Sequence, residues 1–563
     1  MAYDSLRPYL QVLEQNGMMR WVDKEVDKDW EISAVLRMIF RAMPEDKRYG
    51  IGFRNIKGFP GGRVVAGVIA ASREMLSVGV GCEPTLEAIH ARVIDGIENP
   101  IEPVMVDQGP CKEVIIQGAD VDLGALPIPT WTAEKDAGPY LTPLWVTKDP
   151  DNGRRNIGIR RCQIKGKDTT GILFGAPDRG GAIHFEKWKR LGQNMPAAIY
   201  IGADPVQYLV APSRYGPDEL AVAGGIRGEA VPLIKCETVD IEVPATAEIV
   251  IEGEILIDGL DAEGPFGEFT GYMAGGRDGP VFKATCITHR KDPILLGIIS
   301  QFPPSESSMI KRSLLEAGLK KHLRDTLNIP GITDVHALEA GGCTATLWIS
   351  LDKMYAGQVD QAAFGAWSYF GMSYFKWIVV TDDDIDIEDP FMRDWVMAWR
   401  VRPDVDMRVI EGTAPVDLDP SALGPDYVPG SEPAAKVLID ATRKWDYPDI
   451  SLPPMRPEQT IRIPSAPMRM VEATAFLMTR LKATRCCNCL ARLSATSWAS
   501  SSGFLISWML RETSLLVNCL SSSLSLSTSA PLRPMAIPGR AVNTSTVTRL
   551  GWRSMLMRDT PAR

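Results

Sequence analysis

At 563 residues the chain is too long for one hydrophobic core and should hold about three to four domains. Hydrophobic content of 45% with 23% charged residues is that of a soluble globular protein, and a net charge of −9 argues against nucleic acid or an anionic membrane as the main partner. Apolar runs of about eighteen residues are missing, so no membrane-spanning helix is expected.

The opening MAYDSLRPYL carries charges where a secretory leader needs an apolar core, and ten scattered cysteines suggest reduced thiols, so a cytoplasmic protein is expected. The histidines are His90, His184, His289, His322 and His336, with no i, i+4 pair, which disfavours a zinc hydrolase. Asp4 is a candidate cap for a helix that buries Leu6, Tyr9, Leu10 and Leu13 and ends at Gly17. Met18 to Val22 reads as a strand and Thr85 to Ile94 as a second amphipathic helix. Residues 1–115 are therefore expected to form a small α/β domain, and the Gly61-Gly62 turn lacks phosphate-binding spacing.

From Val114 the texture changes to short β runs broken by Gly and Pro, including Ile157 to Ile164, Gly171 to Phe174, Ala197 to Ile201, Val231 to Cys236 and Ile249 to Ile257. Such spacing suggests a barrel or sandwich over 116–305, with a helix near His184 to Leu191. Just past the alternating strand EIVIEGEILI comes Glu263-Gly264-Pro265-Phe266-Gly267-Glu268-Phe269-Thr270-Gly271-Tyr272, whose Pro and Gly residues exclude a helix. Two carboxylates on such a loop are either the solvated corners of a hairpin or an acid–base pair whose pKa values are pushed apart.

Ser308 to Arg324 reads as a helix with Leu315, Leu319 and Leu323 at four-residue spacing and Gly318 as its weak point. Residues 306–455 read as α/β, with Trp377 to Val380 a buried strand. The acidic run Asp382-Asp383-Asp384-Ile385-Asp386 reads as a solvated strand exit before it reads as a cation site. From Ala466 to Arg563 eleven Arg and one Lys face three acidic residues, a net +9, amid Ser/Leu runs without period. The expectation for 456–563 is an unstructured or frameshifted tail, the competing reading being a genuine basic disordered one.

Three stretches join the opening carboxylate loop: Asn156-Ile157-Gly158-Ile159-Arg160-Arg161, Pro177-Asp178-Arg179-Gly180-Gly181, and Pro217-Asp218-Glu219-Leu220-Ala221 with Gly224 to Glu229. They supply Asn, Arg, Glu and free backbone N–H groups, the means to hold a phosphate, a hard cation and a carboxylate–guanidinium pair. With EGPFGEFTGY, the 228–253 run GEAVPLIKCETVDIEVPATAEIVIEG, DDDID after a strand, Asp136 to Tyr140 and Leu126 to Pro129, the chain resembles the UbiD-type decarboxylases, which use prenylated FMN. The resemblance covers about residues 5–453.

It implies an α/β multidomain fold: an N-terminal α/β domain, a central split β-barrel holding the flavin, and a C-terminal α/β domain used in oligomerisation. It implies that Glu268 donates a proton beside the partners Arg161 and Glu263. It makes Asn156 and Glu219 ligands of a divalent metal, usually manganese, that bridges to the flavin phosphate, with potassium as a further ion. Ile159, Arg160, Arg161, Phe174, Gly175, Ala176, Arg179, Gly180 and Lys376 are the implied cofactor contacts. Many members carry His before the RGG where this chain has Asp178; Asp178 is a candidate third ligand, and His184 an alternative. The implied partners are a small aromatic carboxylate, a UbiX-type flavin prenyltransferase that supplies the cofactor, and further copies of the chain in a homodimer or higher homo-oligomer.

Many members of the family have Tyr or a small residue where this chain has Arg160. Strand alternation places it on the face opposite Arg161, toward solvent or an inter-domain salt bridge, or else makes it a second anion site for a dicarboxylate or an aryl-CoA. The leading expectation is reversible non-oxidative decarboxylation of an aromatic or α,β-unsaturated acid. The alternatives are an FMN-binding oxidoreductase and a flavin-binding subunit of a larger carboxylase complex; hydride transfer needs no acid like Glu268.

Overall fold

In the N-terminal segment a helix at Leu6–Gln15 buries Leu6, Tyr9, Leu10 and Leu13 against a small sheet, as its spacing requires. The computed structural model describes residues 3–174, 179–212, 218–274, 276–369, 375–415, 418–422 and 433–444; the expectation for the 456–563 tail lies outside the described residues. Ser5, not Asp4, is the helix N-cap, with no side-chain cap hydrogen bond. The second amphipathic helix runs Leu86–Glu98, with the Thr85 hydroxyl accepting from the Ala88 N–H.

The sheet beside them has four strands in the order Met19–Val22, Gly50–Phe53, Arg63–Ala66 and Ile294–Gly297. The last strand falls within the 116–305 stretch read as a barrel or sandwich, yet it pairs in parallel with Arg63–Ala66. Its run ILLG is apolar throughout and all four residues are buried, so nothing in it names its neighbour. One cluster of buried apolar side chains runs from Leu6 to Leu438, so the successive segments share a core.

The middle segment is a nine-stranded antiparallel sheet curled into a half-barrel. Its spine is the pair Ile249–Glu263 and Arg277–His289, with register shifts at Glu252/Gly253 and between Ile255 and Leu260. The first strand is six residues longer than the expected end at Ile257, because beyond Ile257 both faces meet solvent and alternation no longer marks the strand. Glu263 is thus the strand's last residue, not a loop residue. The Ile157 to Ile164 strand is in fact two, Arg155–Ile159 and Cys162–Ile164, with a break at Arg160-Arg161.

The C-terminal segment is a mixed five-stranded sheet in the order Ile332–Ala337, Thr346–Leu351, Trp377–Asp382, Ala434–Asp440 and Met407–Thr413. The helix Glu306–Lys321 leads into it, followed by a wider π turn over His322–Thr326. Gly318 within that helix lies against Tyr369, where a Cβ would meet the phenol oxygen at 2.0 Å. The acidic run after the third strand is bound by Arg400, which donates to Asp382 at 3.2 Å and to Asp384 at 2.9 Å. No helix among the described residues is long and apolar enough to cross a membrane.

Candidate active site

The carboxylate loop is built by its glycines and by two buried acceptors. Gly264 and Gly271 take φ of 92° and 89°, values closed to most side chains. Asp136 accepts from the N–H groups of Gly267 (3.1 Å) and Thr132 (2.6 Å), and the Gln163 amide oxygen accepts from Gly264 N–H (3.1 Å). The loop closes on itself, with Glu268 N–H donating to Tyr272 O and Gly271 N–H to Glu268 O, each at 2.9 Å. Phe266-Gly267 and Met273-Ala274 pair as a short hairpin, so Glu268 sits just inside a braced turn.

Arg161 joins the two carboxylates. Its Nε and Nη2 donate to Glu263 at 2.7 and 2.6 Å, and its Nη1 donates to Glu268. The guanidinium also lies over the Phe266 ring, 5.0 Å from its centroid. Glu263 is 1% exposed and Arg161 9%. Burial would lower the Arg161 pKa, but hydrogen bonding to Glu263 and the charge of both glutamates raise it above the usual value. Burial raises the Glu268 pKa and Glu263 adds to the rise, while Arg161 and Lys311 hold it back. The result is one ion pair and one carboxyl group biased toward its neutral form.

A cavity of about 300 Å³ opens onto this set. Ile159, Arg160, Arg161, Phe174, Arg179 and Gly180 line it, together with Glu268. Lys376 does not; its ammonium is held by Asp419 (2.8 Å) and Ser421. Gly175, Ala176 and Asp178 lie outside the described residues. Arg160 finds no salt-bridge partner among the described residues and does not turn to solvent: the break after Ile159 cancels strand alternation, and both arginines face the cavity. Its Nη2 donates to Asn156 Oδ1 (3.2 Å), its guanidinium carbon lies 5.8 Å from the Phe174 centroid, and its buried Nη1 meets no partner among the described residues. Burial and the neighbouring Arg179 bring its pKa down to about 10, still charged at neutral pH.

Asn156 and Glu219 do meet, with Asn156 Nδ2 donating to Glu219 Oε1 at 3.0 Å. Glu219 opens the buried helix Glu219–Arg227, capped by Asp218, and burial pushes its pKa up to about 7. Gly224 and Gly225 let that helix close on the chain around Gly96 to Ile101: a Cβ at Gly225 would meet Gly96 O at 2.5 Å. Among the described residues the set is incomplete as a metal site. The Asn156 oxygen is occupied by Arg160, and among the described residues no group of three or more His, Cys, Asp and Glu side chains could hold an ion. His184, the alternative ligand, is buried against Thr147 Oγ1 (2.9 Å), and burial lowers its pKa to about 4.

The cavity fits a flavin mononucleotide better. Arg160, Arg179, Asn156 and Gly180 gather in one part of it, where a Cβ at Gly180 would meet the Asn156 amide at 2.6 Å and Phe174 lies beside Arg160; Ile298 and Ile310 add apolar walls. Sequence reading missed Lys311, which lines the cavity from the helix Glu306–Lys321 with its Nζ 4.0 Å from the Phe269 centroid. Ser307, Ile310 and Lys311 share one helical face through i, i+3 and i+4 spacing, but the spacing does not say which wall that face meets.

Models of the 3-octaprenyl-4-hydroxybenzoate carboxy-lyase N-terminal, Rift-related and C-terminal domains match residues 10–93, 103–303 and 308–441. Among solved structures, the UbiD-class enzyme HmfF from Pelotomaculum thermopropionicum, in an evolved dimeric form in complex with prFMN, is 33% identical, with a TM-score of 0.68 over 80% of this chain and 97% of that one. The 3,4-dihydroxybenzoic acid decarboxylase of Klebsiella pneumoniae is 28% identical (TM-score 0.71, 82% and 100% covered). The vanillic acid decarboxylase of Sedimentibacter hydroxybenzoicus is 29% identical (TM-score 0.71, 86% and 100%).

Proposed function

Since the chain belongs to the UbiD family of carboxy-lyases, we propose that it decarboxylates an aromatic or α,β-unsaturated carboxylic acid, reversibly and without oxidation, using prenylated FMN, with Glu268, Arg161 and Glu263 as its catalytic set. The carrying observation is that Arg161 ties both glutamates together while Arg161 and Glu268 face one cavity. The relatives' names, two of them decarboxylases of hydroxylated aromatic acids and one carrying prFMN, support the substrate class and the cofactor.

Loss of CO2 leaves the C–C bonding pair on the substrate carbon, which then needs a proton. The bound prenylated flavin supplies the electron sink for that pair. Glu268 supplies the proton and regains one from solvent, so the balance is a carboxylate and a proton going to the unsubstituted compound and CO2. Charge explains the arrangement. Arg161 and Glu263 cancel, so an ionised Glu268 would put an uncompensated negative charge beside that pair and repel the substrate carboxylate there. A neutral Glu268 both removes that repulsion and releases Arg161 Nη1 to orient the substrate carboxylate. Lys311, close to Phe269 in the same wall, adds a positive charge to the entry.

An FMN oxidoreductase is the weaker reading, because a carboxyl group biased toward neutrality beside a spent ion pair serves proton delivery and has no task in hydride transfer. The exposed Phe391 and Trp399, 72% and 76% accessible, support assembly into a homodimer or larger homo-oligomer. A UbiX-type prenyltransferase is the proposed source of the cofactor. The test is an assay of the full chain, co-produced with such a prenyltransferase, against a panel of aromatic acids. Stoichiometric CO2 release with solvent-derived hydrogen at the vacated carbon is the expected result; absence of CO2 from every acid, with the modified flavin bound, overturns the proposal.

A further inference from the structure

Arg160 has no task in the chemistry above, and its surroundings are built around it. Gly158 and Gly181 both leave room for it: a Cβ at Gly158 would meet Nη1 at 2.6 Å, and one at Gly181 would meet Nη2 at 2.6 Å. Gly181 belongs to the first turn of the helix Gly180–Arg190, whose N-cap Arg179 makes no side-chain cap hydrogen bond. The buried guanidinium Nη1 without a partner among the described residues, and the start of an eleven-residue helix, therefore converge on one end of the cavity. Both favour an anion there. That end also holds Asn156 and Glu219, where the divalent cation was expected. Yet Arg160 Nη2 already occupies the Asn156 oxygen that would ligate it. A metal at that oxygen would stand against a fixed positive charge.

We infer that Arg160, with the N-terminus of the Gly180–Arg190 helix, holds the terminal phosphate of the flavin in the place a divalent cation was expected to take. The guanidinium fork presents parallel donors to phosphate oxygens, and Glu219, through Asn156, anchors it from behind. A second carboxylate of the substrate is the competing anion. Arg160's hydrogen bond to Asn156 and its contact with Gly181 lie toward the helix end, which favours the phosphate.

The inference rests on the flavin reading, and its test separates the two. FMN and riboflavin are titrated, with no substrate present, into the cofactor-free full chain in EDTA and again with manganese. The expected result is that the parent binds FMN with an affinity that differs by less than about threefold between the two conditions. Arg160→Met should weaken FMN by roughly tenfold to a hundredfold in EDTA, the worth of charge-assisted hydrogen bonds, and leave riboflavin unchanged. Unchanged riboflavin binding also reports that the variant is folded, and Arg160→Lys should fall between. A parent that loses FMN in EDTA overturns the inference, a measurement that needs no variant. So does an Arg160→Met protein that binds FMN like the parent, which returns Arg160 to the substrate. A parent that binds FMN under neither condition overturns the flavin reading as well.

Discussion

Arg161 and Glu263 form a two-pronged ion pair at 2.7 and 2.6 Å between the start of one strand and the end of another, in the curled central sheet. Because the pair is closed, Arg161 has only Nη1 left for Glu268, and the protonation state of Glu268 sets the charge of the site.

Replacing the acid while keeping its shape should stop turnover and spare the fold. Glu268→Gln is expected to lower kcat by roughly a hundredfold to ten-thousandfold, the usual worth of a positioned general acid. Flavin content, read from the absorption spectrum, should match the parent. Turnover within a few-fold of the parent would remove Glu268 from the mechanism.

The ion pair should be costly to break from one side and cheaper to remove entirely. Arg161→Ala leaves Glu263 buried without its cation and is expected to cost about 3–5 kcal/mol in urea unfolding. Arg161→Met with Glu263→Leu should recover much of that loss. A double variant as unstable as the single one would show that packing, not charge, governs this site.

The pH behaviour follows from the raised pKa of Glu268. An acid with a folded pKa above its ordinary 4.5 stabilises the fold at low pH, relative to its ionised form, and loses that contribution as pH rises through the folded pKa. The stability of Glu268→Gln relative to the parent should therefore increase with pH from about 4.5 upward. The kcat/KM profile of the parent should fall on the alkaline side as Glu268 ionises. Lys311 holds that pKa back, so Lys311→Met should move the alkaline limb to higher pH. A limb that stays in place would detach Lys311 from Glu268.

Helix closeness should matter for the far end of the site. Gly225→Ala places a Cβ within 2.5 Å of Gly96 O and 2.6 Å of Asn99 O, both backbone atoms that cannot step aside. We expect a stability loss of about 1–3 kcal/mol and weaker FMN binding, since Glu219 opens the same helix. Calorimetry with FMN titration checks both, and a variant that loses neither would mean the helix can shift freely.

These residues differ in how far the chain announced them. The loop of Glu263 to Tyr272 was legible because Gly and Pro restrict the backbone locally, and local restriction is what sequence displays best. The helices Leu6–Gln15 and Leu86–Glu98 were legible from their apolar faces. Arg160 was misplaced because alternation holds only while a strand continues, and the break after Ile159 depends on tertiary hydrogen bonds such as Trp145 Nε1 to Arg160 O at 3.0 Å. Lys311 was missed because its meaning lies in the wall it faces, supplied by residues such as Phe269 and Ser300. The extra length of the Ile249–Glu263 strand was hidden because a ribbon wet on both faces has no hydrophobic period to read.

The strand Ile294–Gly297 closing the first sheet sets an order of events during synthesis. When residue 115 leaves the ribosome, the edge of Arg63–Ala66 still presents unpaired N–H and C=O groups, and it keeps doing so while the whole central sheet is being made. The nascent chain therefore carries an open, apolar edge while the 227 residues between the two strands are made, a natural target for a chaperone and for pairing with a neighbouring nascent copy. It also means the gene cannot be cut at residue 115 to give a self-sufficient N-terminal module: that fragment would leave its sheet one strand short.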